Sequence, residues 1–457
     1  MKNKNFYKRA IQVAWPSVLE SFFIALAGII DTYMVSSIGS SAVAAVGLTT
    51  QPKFIALAIF FSINIATSAL VARRLGEEDK EGANRILVTA IIMGLVLTVV
   101  ISTVMVYFSD SILRLAGSNS DTHTDALNYF RIIMGGMIFS VVSMAINAAQ
   151  RGSGNTRIAF TTNLVSSIVN IFFNYCLIGG NFGFPKMGVS GAALATVLGT
   201  VVSSIMCIRS LFRKDGFVQI KYIFAKKIKP TVGVFTSIVK LGTNLFVENI
   251  AMRIGFLTTA LMAAGLGTDT FAAHNVGMNL LSICFSFADG MQVAAVVLTG
   301  SSLGAGKKEN AKIYGKVCQR IGLMISLVLS VILLLFGKGI FRLFFDKLSI
   351  IETGEIIARF ITVIVLLQIS QIIYGGCLRS AGDVKYTLIS SIISVTIIRT
   401  AVTYILVSVF NMGIVGIWLG IFSDQFSRYM FNSIRFRQGK WVNIKIKLGK
   451  SPHGAIF

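Results

Sequence analysis

Apolar stretches of about twenty residues or more follow one another along nearly the whole chain, and no other feature limits its fold so strongly. A helix rising 1.5 Å per residue needs about 20 residues to cross a hydrocarbon core of roughly 30 Å. Twelve stretches can be marked, at 11–36, 42–72, 86–108, 127–149, 158–180, 187–210, 233–264, 270–302, 313–336, 355–377, 386–409 and 413–434. They lack the sustained alternation of a lipid-facing barrel strand, so the spans are expected to be helices, which satisfy their own backbone in lipid. Only 13% of the 457 residues are charged, where a soluble chain carries about a quarter. That composition excludes a soluble enzyme, a disordered chain and a secreted disulfide scaffold. The expectation is an all-α polytopic membrane protein with twelve transmembrane helices.

A net charge of +23 would suggest a nucleic-acid partner in a soluble domain. Placed on the twelve spans, the charge sorts by side instead. With the N-terminus inside, 32 of the 42 Lys and Arg fall on the cytoplasmic side and eight outside, while acidic residues split seven and seven. A bias confined to the basic residues is the signature of membrane topology. Both termini are therefore expected in the cytoplasm, the protein in the cell membrane, and no nucleic acid as partner. Cys176, Cys207, Cys284, Cys318 and Cys377 lie scattered in or beside the spans, without pairing or metal spacing, and read as small core residues.

Sliding the chain on itself by close to half its length uncovers an internal repeat. Ile38-Gly39 with Ala44-Ala45 falls on Leu266-Gly267 with Ala272-Ala273, Leu75-Gly76 on Leu303-Gly304, and Arg151-Gly-Ser-Gly154 on Arg379-Ser-Ala-Gly382, all at one shift. Met187-Gly188 falls on Met412-Gly413 at a slightly shorter one. Six spans per half give both halves the same orientation, so the repeat is parallel. The expected organisation is a six-helix lobe at 1–210, a basic linker at 211–232, a second six-helix lobe at 233–434 and a basic tail at 435–457. No Gly-rich loop ending in Lys-Ser or Lys-Thr is present, which leaves ATP drive without support.

Trp15-Pro16-Ser-Val-Leu-Glu20, Asp31-Thr-Tyr-Met-Val35, Gln150-Arg151-Gly-Ser-Gly-Asn-Thr156, Asn170-Ile-Phe-Phe-Asn174 and Leu266-Gly267-Thr268 with Ala272-Ala273-His274-Asn275 together resemble the multidrug and toxic compound extrusion (MATE) family. The resemblance implies twelve helices in two lobes, a central cavity, and efflux of organic cations coupled to inward flow of protons or sodium. It also implies an N-lobe cation site built on an aspartate of the first helix with a proline upstream, positions held here by Asp31 and Pro16. Family members often carry Asp where this chain has Asn174, so this site has one carboxylate fewer and carries less charge.

Five acidic residues fall inside apolar spans: Glu20, Asp31, Glu248, Asp289 and Asp424. A charge at a helix centre costs about 2.5 to 3.5 kcal/mol, so each must face a cavity, meet a cation or stay protonated. Glu20 and Asp31 stand eleven residues apart on one face of one helix, about 16 Å along it. Asn163, Asn170 and Asn174 form a polar stripe on the fifth span, and Ser140, Ser143, Asn147 and Gln150 another on the fourth. Each stripe reads either as cation or substrate contact or as hydrogen bonding between helices. Glu248 is the repeat counterpart of Glu20. Asp424 and Arg428, four apart, most simply neutralise each other. His123, His274 and His453 form no metal or nucleophile constellation.

The chain is therefore expected to be a cation-coupled antiporter of cationic or amphiphilic drugs, monomeric in the lipid bilayer, not an enzyme, and without cofactor. The coupling groups would be Asp31, Glu20, Glu248, Asn147, Asn170 and Asn174, with Pro16 as a bend and with Na⁺ at Asp31, Asn170 and Asn174 if sodium is the ion. The alternatives are a lipid-linked oligosaccharide flippase, whose cavity would need several basic groups, and a polytopic membrane enzyme.

Overall fold

The computed structural model describes residues 2–444, and every regular element within them is helical. The end of the expected basic tail, 445–457 with His453, lies outside the described residues. The long helices are α1 (Lys2–Ser36), α2 (Ser40–Gly76), α3 (Lys80–Tyr107), α4 (His123–Gly135 and Met137–Gly152), α5 (Thr156–Gly179), α6 (Gly188–Ser210), α7 (Val232–Ala264), α8 (Thr268–Gly304), α9 (Lys308–Phe344), α10 (Leu348–Ser380), α11 (Val384–Val409) and α12 (Gly413–Gln438). Ten are long and apolar enough to cross a membrane, and α4 adds an eleventh crossing if its two segments count as one. The stretch expected as the twelfth span is helical, as α12, but is less apolar than the others because it carries Asp424, Arg428, Arg435 and Arg437. The chain is a multi-pass membrane protein.

Local chemistry explains where the helices depart from the expected bounds. α3 begins at Lys80, ahead of its apolar run, because the Asp79 side chain caps it by accepting from the Gly82 amide at 2.7 Å. α4 bends by 47° at Gly136. A Cβ there would lie 2.6 Å from the Val197 side chain, so the missing side chain lets α4 approach α6 at the bend. α11 contains π-helical turns at Ile392–Arg399 and Ile405–Val409, which its apolar sequence does not announce. The repeat is visible in the backbone: Gly154 and Gly382, which fall on each other under the repeat shift, both turn the chain with positive φ, at 83° and 87°. Only glycine adopts that conformation without strain.

The described chain divides into two compact units, one formed by residues up to Val18 together with those from Asn244 onward, the other by Leu19–Thr243. Both boundaries fall inside helices, α1 and α7. In the first unit Ala10 and Ala14 of α1 join a core that includes Ala294, Ile357, Ile361, Ile369 and Trp418. Phe6 meets Tyr314 edge-on at 4.8 Å, and Val18 lies against Gly290 of α8. Small residues of α9, among them Ala311, Cys318, Gly322, Ser326 and Gly337, are buried, which lets neighbouring backbones approach closely, as packing within lipid favours. Met324, Val328, Leu334, Leu335 and Phe336 of the same helix are exposed. Such an apolar surface belongs in a bilayer. In the second unit, α2, α4 and the Ser109–Leu115 helix supply a core of Ala45, Phe60, Leu113, Phe130, Met134 and Val141. Residues 211–232, expected as a linker, belong to this unit.

Candidate functional site

Two carboxylates of α1 meet two amides of α5. The Asn163 side chain donates to Glu20 at 2.6 Å, and three turns further along Asn174 donates to Asp31 at 2.5 Å. Both pairs have the same separation along the chain. Equal spacing on both partners means that α1 and α5 run side by side in the same direction with their polar faces in register. Asn174 is wholly buried. Its second polar atom, the carbonyl oxygen, has no hydrogen-bond partner among the described residues. A spare oxygen acceptor thus lies beside a carboxylate inside an apolar span, and an unmet buried acceptor is costly unless something fills it.

The remaining members of the first-half set divide. Asn170 lies one helical turn before Asn174, interacts with the Asp31 carboxyl, and donates to Thr196 of α6 at 3.2 Å. Asn147 lies elsewhere. It donates to Thr162 at 3.2 Å and accepts from the Cys207 thiol at 3.4 Å, knitting α4, α5 and α6 together. Ser143 with Ser203, at 2.7 Å, and Gln150 with Ser210, at 3.1 Å, extend that seam. Pro16 sits within the uninterrupted α1, one turn before Glu20, where its ring removes one backbone hydrogen bond. Lys53 of α2, one of the eight basic residues that the expected topology places outside, acts electrostatically on Asp31.

Glu248 has a partner that helical spacing could not reveal. Arg379 of α10 donates to it at 2.6 Å, Ser391 of α11 at 2.8 Å and Thr387 at 3.3 Å. The first half holds the same arrangement more loosely, with Arg151 3.4 Å from Glu20 and Asn163 in the place of Ser391. Glu20 and Glu248, Arg151 and Arg379, and Asn163 and Ser391 are all related by the one repeat shift. The clue was available: the Arg151 and Arg379 motifs align at the same shift as the two glutamates. Each cluster lies within a single unit.

The other acidic residues stand apart from this pattern. Asp424 accepts from Arg428 at 2.7 and 3.1 Å, the pairing that the spacing suggested. It also accepts from Arg399 at 3.3 Å, and it is wholly buried. Arg399 donates further to Thr259 at 2.9 Å and lies over the Phe256 ring. One carboxylate thus serves two guanidiniums. Asp289 is half-buried on α8. His274 is buried between Phe271 and Trp418, and His123 bonds Asp110 at 2.8 Å outside the spans. There the Arg114 guanidinium, and then His123, hold the exposed Asp110 carboxyl below its ordinary range. Among the described residues no group of three or more His, Cys, Asp or Glu is arranged to hold a metal ion.

The MatE family model matches this chain twice, over residues 16–176 and 245–405. The offset between the two matches is within one position of the internal repeat shift, so the halves align with one family pattern in the same order. A Thermotoga maritima protein named "Probable multidrug resistance protein NorM" is 26% identical over 437 residues, covering 95% of this chain and 93% of its own. The "Uncharacterized transporter YisQ" of Bacillus subtilis is 23% identical over 432 residues, covering 94% of each. A solved structure described as the "Outward-facing conformation of a multidrug resistance MATE family transporter of the MOP superfamily" matches with a TM-score of 0.88 at 24% identity, covering 95% of this chain and 97% of that one. At that identity the likeness is one of fold.

Proposed function

Because the chain belongs to the MATE family of membrane transporters, we propose that it exports organic cations or amphiphilic compounds in exchange for an inward flow of H⁺ or Na⁺. The observation that carries this reading is the contact between Asp31 and Asn174, with the spare Asn174 oxygen beside it. A carboxylate together with amide oxygens is a hard donor set that suits a sodium ion, and the same carboxyl can take a proton. Asp31 is the coupling residue in this reading, with Asn170 and Asn174 as its neighbours. Loading Asp31 changes the charge on α1, and Pro16 weakens the helix where it can bend in response. Alternating access then follows from movement of the two lobes, with drug and ion bound in turn. The split of basic residues supports placing both termini in the cytoplasm.

The flippase alternative draws no support from Arg399, whose guanidinium is bonded to Asp424 and Thr259. Glu20 and Glu248 move from coupling to positioning, because each carboxylate has a guanidinium from another helix beside it.

The test is drug exchange in proteoliposomes under a pH gradient alone and under a Na⁺ gradient alone. Asp31→Asn keeps the size and the hydrogen bonding but removes titration, and it should fold normally while losing gradient-driven exchange under either regime. Asp31→Glu should recover part of it. Undiminished exchange by Asp31→Asn would remove Asp31 from the coupling role.

A further inference from the structure

Residues 211–232 are folded back on the ends of two membrane helices. The Ile220 amide donates to the carbonyl of Leu211, just past α6, at 2.9 Å. The Gln219 amide donates to the side chain of Asn84 at 2.8 Å, Asn84 donates to the Phe217 carbonyl at 3.1 Å, and Lys80 donates to the Gln219 side chain at 3.1 Å. Gln219 in turn donates to the Arg213 carbonyl at 3.0 Å and to that of Lys214. Val218 is wholly buried, and the Lys80 ammonium lies 5.2 Å from the centre of the Tyr222 ring. Lys80 and Asn84 begin α3, while Leu211 follows the end of α6, so the segment is held where two membrane helices leave the hydrocarbon.

Its other side is exposed. Phe212, Phe224 and Val232 are 50%, 75% and 82% exposed. Around them Arg213, Lys214, Lys221, Lys226, Lys227 and Lys229 are all exposed, against the single acid Asp215. Exposed aromatic rings among clustered cations, tethered beside the ends of two membrane helices, match the chemistry of an anionic bilayer surface. There apolar rings enter the acyl boundary and lysines meet phosphates.

We propose that residues 212–232 form a docking surface for the anionic phospholipid headgroups of the surrounding bilayer. The proposal rests on membrane insertion and not on what is transported, so it stands or falls apart from the coupling role of Asp31. A tethered amphipathic surface of this kind ties the connection between the halves to the charge of the leaflet it touches.

The test uses the full-length protein in nanodiscs of phosphatidylcholine alone or mixed with phosphatidylglycerol. An environment-sensitive dye at Ala225→Cys reports the segment, since Ala225 is exposed and all five native cysteines are buried. Native mass spectrometry reads which lipids remain bound. Phosphatidylglycerol should shift the dye emission to the blue and be retained over phosphatidylcholine. The triple variant Lys221→Gln, Lys226→Gln, Lys229→Gln should lose that preference by roughly fivefold for each lysine removed. The matching lysine-to-arginine triple should keep it, and added salt should weaken it. Lys227 is left in place because its backbone is at φ 48°. An emission indifferent to lipid charge, or an unchanged lipid preference in the glutamine triple, would overturn the proposal.

Discussion

The two Glu–Arg pairs allow an experiment with its own internal control. Glu248 is 1% exposed and accepts from one guanidinium and two hydroxyls, with the Arg379 contact at 2.6 Å. Arg379 keeps 17% of its side chain exposed. Removing one partner of a buried pair costs about 3 to 5 kcal/mol, because the other charge is left stranded. Glutamine at 248 still offers a neutral acceptor and Arg379 is not fully enclosed, so about 3 kcal/mol is expected for Glu248→Gln. Glu20 is as deeply buried, yet Arg151 approaches only to 3.4 Å and is 25% exposed. That distance lies outside the usual range of a hydrogen bond, and a pair without a direct bond, its guanidinium a quarter exposed, is expected to be worth about 1 kcal/mol or less. Double-mutant cycles, with Gln replacing Glu and Arg in turn, should give a coupling roughly 2 kcal/mol larger for Glu248 with Arg379 than for Glu20 with Arg151. The readout is reversible unfolding in mixed detergent micelles. The double variant of the second pair should regain much of the stability that either single change loses, since no bare charge then remains. Equal couplings, or a larger one for Glu20, would refute the argument from geometry.

Two further substitutions probe the packing of the Asn244-onward unit, and a third, in the other unit, serves as a control. Asp424→Asn leaves the buried Arg399 and Arg428 without the carboxylate they share. It should cost about 3 to 5 kcal/mol and depress the melting temperature and yield in detergent, and an unchanged melting temperature would contradict that account. Gly290→Ala would put a methyl group 2.4 Å from the Cα of Val18, forcing α1 off α8 at about 1 to 3 kcal/mol. Gly28→Ala on the same α1, where nothing lies within 4 Å, should be neutral or slightly stabilising in the same melting assay.

What the sequence carried clearly was whatever depends on spacing within one helix. The apolar runs marked the helices, and the three-turn spacing from Glu20 to Asp31 put both on one side of α1, where two amides of α5 meet them. The bend in α4 was not legible, because Gly136 is one glycine among 42 and its role depends on Val197, two helices further along the chain. Lys53 was likewise invisible as a neighbour of Asp31, since it lies on another helix and no periodicity encodes that pairing. The partners of Glu248 lie on α10 and α11. They would have been found by asking which cations move with the glutamates under the repeat shift. Counting helical turns from Glu248 could not reach them.

The repeat also separates what both halves need from what one half alone supplies. The Glu–Arg cluster occurs twice, joining α1 to α4 and α5 in one half and α7 to α10 and α11 in the other. A device kept in both copies suits a task common to both, such as seating the first helix of each half. Asp31 has no such twin. Its counterpart under the repeat shift is Thr259, and that of Asn174 is Val402. In that half the Thr259 hydroxyl accepts from Arg399, whose charge is already met by Asp424. Retaining an ionisable group inside the membrane is costly, and no shared structural need explains Asp31 when its twin position does without a carboxylate. A charge that must come and go during a cycle is needed only once. In the proposed mechanism the coupling role therefore falls to Asp31, and the glutamates would hold the helices on which it acts.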